Sequence, residues 1–84
     1  MEKIVMYSTA YCPYCARARE LLEKKGLDYL DIRIDEHPEK RDEMIAKSGG
    51  RTVPQLFING QPIGGCDDMY ALEAQGQLDK LLQD

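Results

Sequence analysis

Ile4-Val5-Met6-Tyr7-Ser8-Thr9-Ala10-Tyr11-Cys12-Pro13-Tyr14-Cys15-Ala16-Arg17-Ala18-Arg19-Glu20-Leu21-Leu22 decides the fold. Residues 4–7 are a short, largely apolar run of the kind a buried strand carries. Residues 8–11 make a loop, and Pro13 stands where a helix should begin, because the first helical position needs no N–H donor. From residue 14 to 25 the chain is rich in helix formers, and Cys15, Ala18, Leu21 and Leu22 fall on or near one face. Gly26 then supplies a natural C-terminal stop. A strand therefore runs through a short loop into a helix, and two cysteines sit at the junction.

Beyond this unit, residues 29–34 alternate: Leu30, Ile32 and Ile34 share the face expected to be buried, and Tyr29, Asp31 and Arg33 the other. Pro38 opens a second helix to about residue 47, with Met44 and Ile45 as its apolar contacts, and Ser48-Gly49-Gly50 ends it. Gln55–Ile58 reads as a third strand, and Asn59-Gly60 is a hairpin signal because both residues tolerate positive φ. A fourth strand follows at residues 61–64, and Pro62, which cannot donate to a ladder, puts it at a sheet edge. Asp67 and Asp68 can cap a helix to about Gln75, Gly76 stops it, and Leu78, Leu81 and Leu82 mark a last amphipathic turn or two. The order β-α-β-α-β-β-α-α predicts an α/β fold. Its first βαβ unit is parallel with a right-handed crossover, giving a four-stranded mixed sheet flanked by helices on both faces. At 84 residues the chain is expected to form a single domain over 1–84.

Bulk composition narrows the function. The net charge of −4 and the lack of a basic stripe speak against nucleic acid as a partner. No apolar run nears the roughly 20 residues that span a bilayer, so no membrane role is expected. The first residues read as a strand and not a signal peptide, so the expectation is a reducing cytoplasm, where disulfides are transient and catalytic. Three cysteines cannot all pair, which argues against a disulfide scaffold.

Cys12 and Cys15 stand three apart at a helix start, on the same side, close enough for a disulfide with modest adjustment. Cys12 at the N-cap faces unpaired N–H groups and the positive end of the helix dipole, both of which favour a thiolate. Cys15, one turn in, is expected to be more buried and to stay a thiol until needed. This makes Cys12 the attacking nucleophile and Cys15 the resolving thiol. Cys-x-x-Cys is also half of many zinc sites, but only Cys66 and His37 remain as further ligands and neither has a paired spacing, so no metal is expected. His37, before Pro38, reads as a solvated turn residue.

Cys12-Pro13-Tyr14-Cys15, Arg51-Thr52-Val53-Pro54 and Gly64-Gly65-Cys66-Asp67-Asp68, in this order and spacing, resemble a dithiol glutaredoxin over essentially the whole chain, most like the short bacterial glutaredoxin 3 type. The resemblance implies a thioredoxin fold and a glutathione-dependent oxidoreductase that reduces glutathionylated or disulfide-bearing client proteins. It also implies glutathione as co-substrate, no tightly bound cofactor, and a monomer. It implies a cis Pro54, with Val53 pairing through its backbone to the cysteinyl unit of glutathione and Thr52 in the same wall. Tyr14 would line the groove, and Arg41, with Arg51 assisting, would hold the glycine carboxylate. Gly65 permits close backbone approach, the N–H groups of Cys66 and Asp67 suit the γ-glutamyl carboxylate, and the Asp67 carboxylate suits its ammonium. Capping alone accounts for Asp68. Where the family often has a lysine three residues before the nucleophile, this chain has Thr9. Stabilisation of the thiolate then falls to the helix dipole, to Arg17 or to Arg41. Two rivals stay open: a thioredoxin-like protein reduced by a flavoprotein, and a dimer in which two Cys12 and two glutathiones hold a [2Fe–2S] cluster. Pro13 argues against the second.

Overall fold

The computed structural model describes residues 3–82. Four strands, β1 (Ile4–Ser8), β2 (Leu30–Arg33), β3 (Gln55–Ile58) and β4 (Gln61–Gly64), lie in the order β2-β1-β3-β4. β1 runs parallel to β2 and antiparallel to β3, and β3 and β4 are antiparallel. The helices are α1 (Pro13–Lys24), α2 (Glu39–Ser48), α3 (Cys66–Ala74) and α4 (Gln77–Leu82). The four-stranded mixed sheet and the chain order β-α-β-α-β-β-α-α are as expected; the order of the strands across the sheet is what the structure adds.

The central strands are apolar on both faces because both are covered. Ile4 and Met6 of β1 and Leu56 and Ile58 of β3 pack with Ala18, Leu21, Leu22, Met69 and Leu78 from α1, α3 and α4. On the opposite face Tyr7, Phe57 and Ile34 pack with Met44 of α2. The Tyr7 and Phe57 rings meet edge to face at 5.7 Å. Tyr7 is 2% exposed, and its hydroxyl donates to Glu43 of α2 at 2.5 Å, which pins that helix to the strand feeding the active-site loop. Burial and the Glu43 charge push the Tyr7 hydroxyl well above its ordinary pKa.

Two sequence expectations are corrected. Leu30 was expected on a buried face and is 47% exposed, whereas Ile34, two register steps along the same face, is 6% exposed. β2 is an edge strand, and α2, whose Met44 meets Ile34, covers only that end of it. The α3 cap is Gly65, whose N–H donates to the Asp68 carboxylate at 2.9 Å; Asp67 sits exposed in the first turn instead. The Asn59-Gly60 hairpin is as read, with φ of 52° and 82°, and Pro62 lies in the edge strand β4.

Candidate active site

Pro13 takes the first position of α1, and Cys12 is the N-cap in extended conformation, φ −93° and ψ 116°. The Cys12 sulfur accepts the Cys15 backbone N–H at 3.1 Å, doing with sulfur what a capping serine does with oxygen. Its thiol donates to the Val53 carbonyl at 3.6 Å. Cys12 is partly exposed, while Cys15 is fully buried at 0%. All three cysteines are free thiols.

The two thiols stand in unlike electrostatic settings. Burial, then the contact with Cys12, pushes the Cys15 thiol up to about 12, against a Thr9 backbone hydrogen bond and the Arg19 charge, which both pull it down. A group so placed is a thiol at neutral pH. Cys12 has no comparable burial and sits on the N–H groups that open α1.

A groove of about 490 Å³ is lined by Tyr14 of α1, Thr52, Val53 and Pro54 of the loop before β3, Gln55, and the turn from Gly64 through Asp68; Cys12 is not in its lining and reaches it through the Val53 carbonyl. The Val53–Pro54 bond is cis. Gly64 has φ +102°, and a Cβ there would collide with the Asp68 carboxylate; a Cβ on Gly65 would come to 3.4 Å from the Pro54 carbonyl. The two glycines thus bring the start of α3 against the cis-proline wall. Of the residues proposed from sequence, Tyr14, Thr52, Val53, Pro54, Gly65, Cys66 and Asp67 all line this groove. Arg41 and Arg51 are exposed and lie outside its lining. Arg17 stacks over the Tyr70 ring at 5.5 Å. Cys66, 3% exposed, has its thiol raised by burial. Sequence reasoning missed Gln55 as a groove residue. Its place directly after Pro54 was the available signal, and its amide donates to the Thr52 hydroxyl at 3.3 Å. It also missed a polar cluster built from Ser8, Thr9, Arg19 and Asp31.

A family model for glutaredoxin matches residues 4–63. The chain belongs to the glutaredoxin family. It is 52% identical over 83 residues to glutaredoxin 3 of Escherichia coli, covering 99% of this chain and all of that one. To a glutaredoxin of Pseudomonas aeruginosa it is 51% identical over 82 residues, 98% of each. Among solved structures, the holo form of glutaredoxin C1 from Populus tremula x tremuloides superposes with a TM-score of 0.90 at 35% identity, over 99% of this chain and 85% of that one. A buckwheat glutaredoxin–glutathione complex does so at 0.89 and 33%, over 96% and 76%. The thioredoxin fold that the resemblance implied is therefore the observed one, and the activity is that of a glutathione-dependent thiol oxidoreductase. Among the described residues no helix is long and apolar enough to cross a membrane.

Proposed function

We propose that this glutaredoxin reduces glutathione mixed disulfides and protein disulfides through a Cys12–Cys15 dithiol, with glutathione bound in the groove beside Cys12. The observation that carries this reading is the pairing of an accessible sulfur on a helix N-terminus with a fully buried one a turn away. The groove supports it because Val53, whose carbonyl accepts the Cys12 thiol, is part of its wall.

The Cys12 thiolate attacks a glutathione mixed disulfide, forms a Cys12–glutathione disulfide and expels the client thiolate, which takes up a proton. A second glutathione, as thiolate, attacks the glutathione sulfur of that intermediate. This releases oxidised glutathione and returns Cys12 to the thiolate. On a protein disulfide, Cys12 first forms a mixed disulfide with the client. Cys15 then attacks Cys12, makes the Cys12–Cys15 bond and frees the second client thiol. Two glutathiones afterwards reduce the pair.

In the groove, Tyr14, Thr52 and cis-Pro54 flank the tripeptide, Val53 pairs with its backbone, and Gly65, Cys66 and Asp67 take the γ-glutamyl end at the start of α3. Arg41 and Arg51 act from outside the lining, as exposed cations drawing the glycine carboxylate. The protein works as a monomeric single domain in a cytoplasm where glutathione keeps thiols reduced, on clients with accessible or glutathionylated cysteines. A glutathione-coupled mixed-disulfide reduction assay tests the reading. Cys12→Ser should abolish turnover, whereas Cys15→Ser should keep mixed-disulfide reduction and lose the protein-disulfide route. Equal rates for wild type and Cys12→Ser would overturn it.

A further inference from the structure

We propose that Arg19 is a positioning residue for the resolving thiol: it anchors the Ser8 hydroxyl and the Thr9 carbonyl one helical turn beyond Cys15 and carries a positive charge on that side of α1. The inference rests on the dithiol reading above, because only that route uses Cys15. Arg19 lies four residues after Cys15, hence on the same side of α1. Its Nε donates to Asp31 Oδ2 at 2.8 Å, and its Nη2 donates to Ser8 Oγ at 2.8 Å and to the Thr9 carbonyl at 3.3 Å. Ser8 closes the cluster by donating its hydroxyl to the other Asp31 oxygen. One guanidinium therefore ties α1, the end of β1 and β2 together, which a planar fork of donors can do and a single ammonium cannot.

What this cluster holds in place is the segment facing Cys15. Ser8 is 0% and Thr9 6% exposed, and the Thr9 backbone pulls the Cys15 thiol down against the burial that raises it. The charged and titratable groups facing Cys15 are Cys12 at the helix cap and Arg19, with Asp31 of β2 behind Arg19. Of these, only Arg19 favours the thiolate. Cys15 must lose its proton to attack Cys12, and it does so in a site that burial makes hostile to charge. The attack makes the Cys12–Cys15 bond and breaks the bond from Cys12 to the client sulfur. The client leaves as a thiolate and takes up the proton that Cys15 released. Arg19 lowers the cost of the charged state that this step passes through. Attack by Cys12 itself needs no such help, so the effect falls on one of the two routes.

Two measurements test this. One is the ratio of protein-disulfide reduction by the full dithiol protein to mixed-disulfide reduction in a Cys15→Ser background, each with and without Arg19→Met. The other is the pH titration of the Cys15 Cβ chemical shift in a Cys12→Ser background. Loss of this cation, the smallest of the influences on the Cys15 thiol, should raise its midpoint and lower the ratio about threefold. Arg19→Lys keeps the charge and loses the fork, so both effects should be smaller, about twofold or less in the ratio, and this variant carries the test if Arg19→Met does not fold. An unmoved midpoint and ratio, while Cys15→Ser still abolishes protein-disulfide reduction, would overturn the inference alone. Protein-disulfide reduction that survives Cys15→Ser would overturn the dithiol reading and this inference with it.

Discussion

Gly64 and Asp68 should behave as one unit, and a double-mutant cycle can show it. Gly64 has φ +102°, and a Cβ there collides with the Asp68 carboxylate, the group that accepts the Gly65 N–H at 2.9 Å and so caps α3. Gly64→Ala then carries two penalties. A side chain at positive φ costs ~1–2 kcal/mol, and displacing Asp68 removes a helix cap worth ~1 kcal/mol. The expected loss is about 2–3 kcal/mol. Asp68→Ala alone loses the cap, about 1 kcal/mol. In the double variant the collision is gone and the cap is already lost, so the cost stays at about 2–3 kcal/mol against about 3–4 for the summed single variants. Urea unfolding followed by far-UV circular dichroism reads this as a midpoint shift at constant slope. Because the Gly64–Asp68 turn lines the groove, the apparent KM for a glutathione mixed disulfide should rise in all three variants. Single-variant losses that add to within about 0.3–0.5 kcal/mol would refute the collision as the cause.

Tyr7→Phe should lose about 1–2 kcal/mol at pH 7, the worth of a part-buried hydrogen bond to a charged group. The Tyr7 bond, helped by Lys47 and Lys40, holds the Glu43 carboxyl below its ordinary value, so the stabilisation is present above about pH 4.3 and is lost as pH falls through the lower folded value. Thermal melts of wild type and variant should therefore converge at low pH. Cys15 has the opposite sign. From about pH 8.5, where an exposed thiol ionises, up to about 12, the folded state keeps a proton that the unfolded state has lost. Stability under reducing conditions should fall over that range, and less so in Cys15→Ala. Met44→Ala should cost about 2–5 kcal/mol by leaving a cavity under α2, read from the urea midpoint. Asp67→Ala, which removes an exposed carboxylate from the groove, should raise the KM for glutathione mixed disulfides about threefold and less so at high salt, with kcat little changed.

Most of the fold was legible because its signals are local. Pro13 after Cys12, Asn59-Gly60 between two apolar runs and Pro62 at an edge each act through the backbone of their own residues. The structure keeps all three where the sequence put them. Leu30 was misread because alternation says which residues share a face, not how much of that face a helix will cover. Asp67 and Asp68 are adjacent acids in the first turn of a helix, and only the turn at Gly64 and Gly65 decides which of them reaches back to cap it.

The sequence by itself determined the chemistry of the two sulfurs, since Cys-x-x-Cys after a strand and at a proline-started helix puts one thiol at the dipole and one a turn inside. Tertiary structure decided how unequal they are. Cys15 is buried because α1 lies on the sheet, and the groove beside Cys12 exists because the cis Val53–Pro54 loop and the start of α3 meet there from distant parts of the chain. Arg19 belongs wholly to that second category. Along the chain it is one basic residue on a charged helix, and only the parallel pairing of β1 with β2 brings Ser8 and Asp31 to it, one helical turn beyond Cys15.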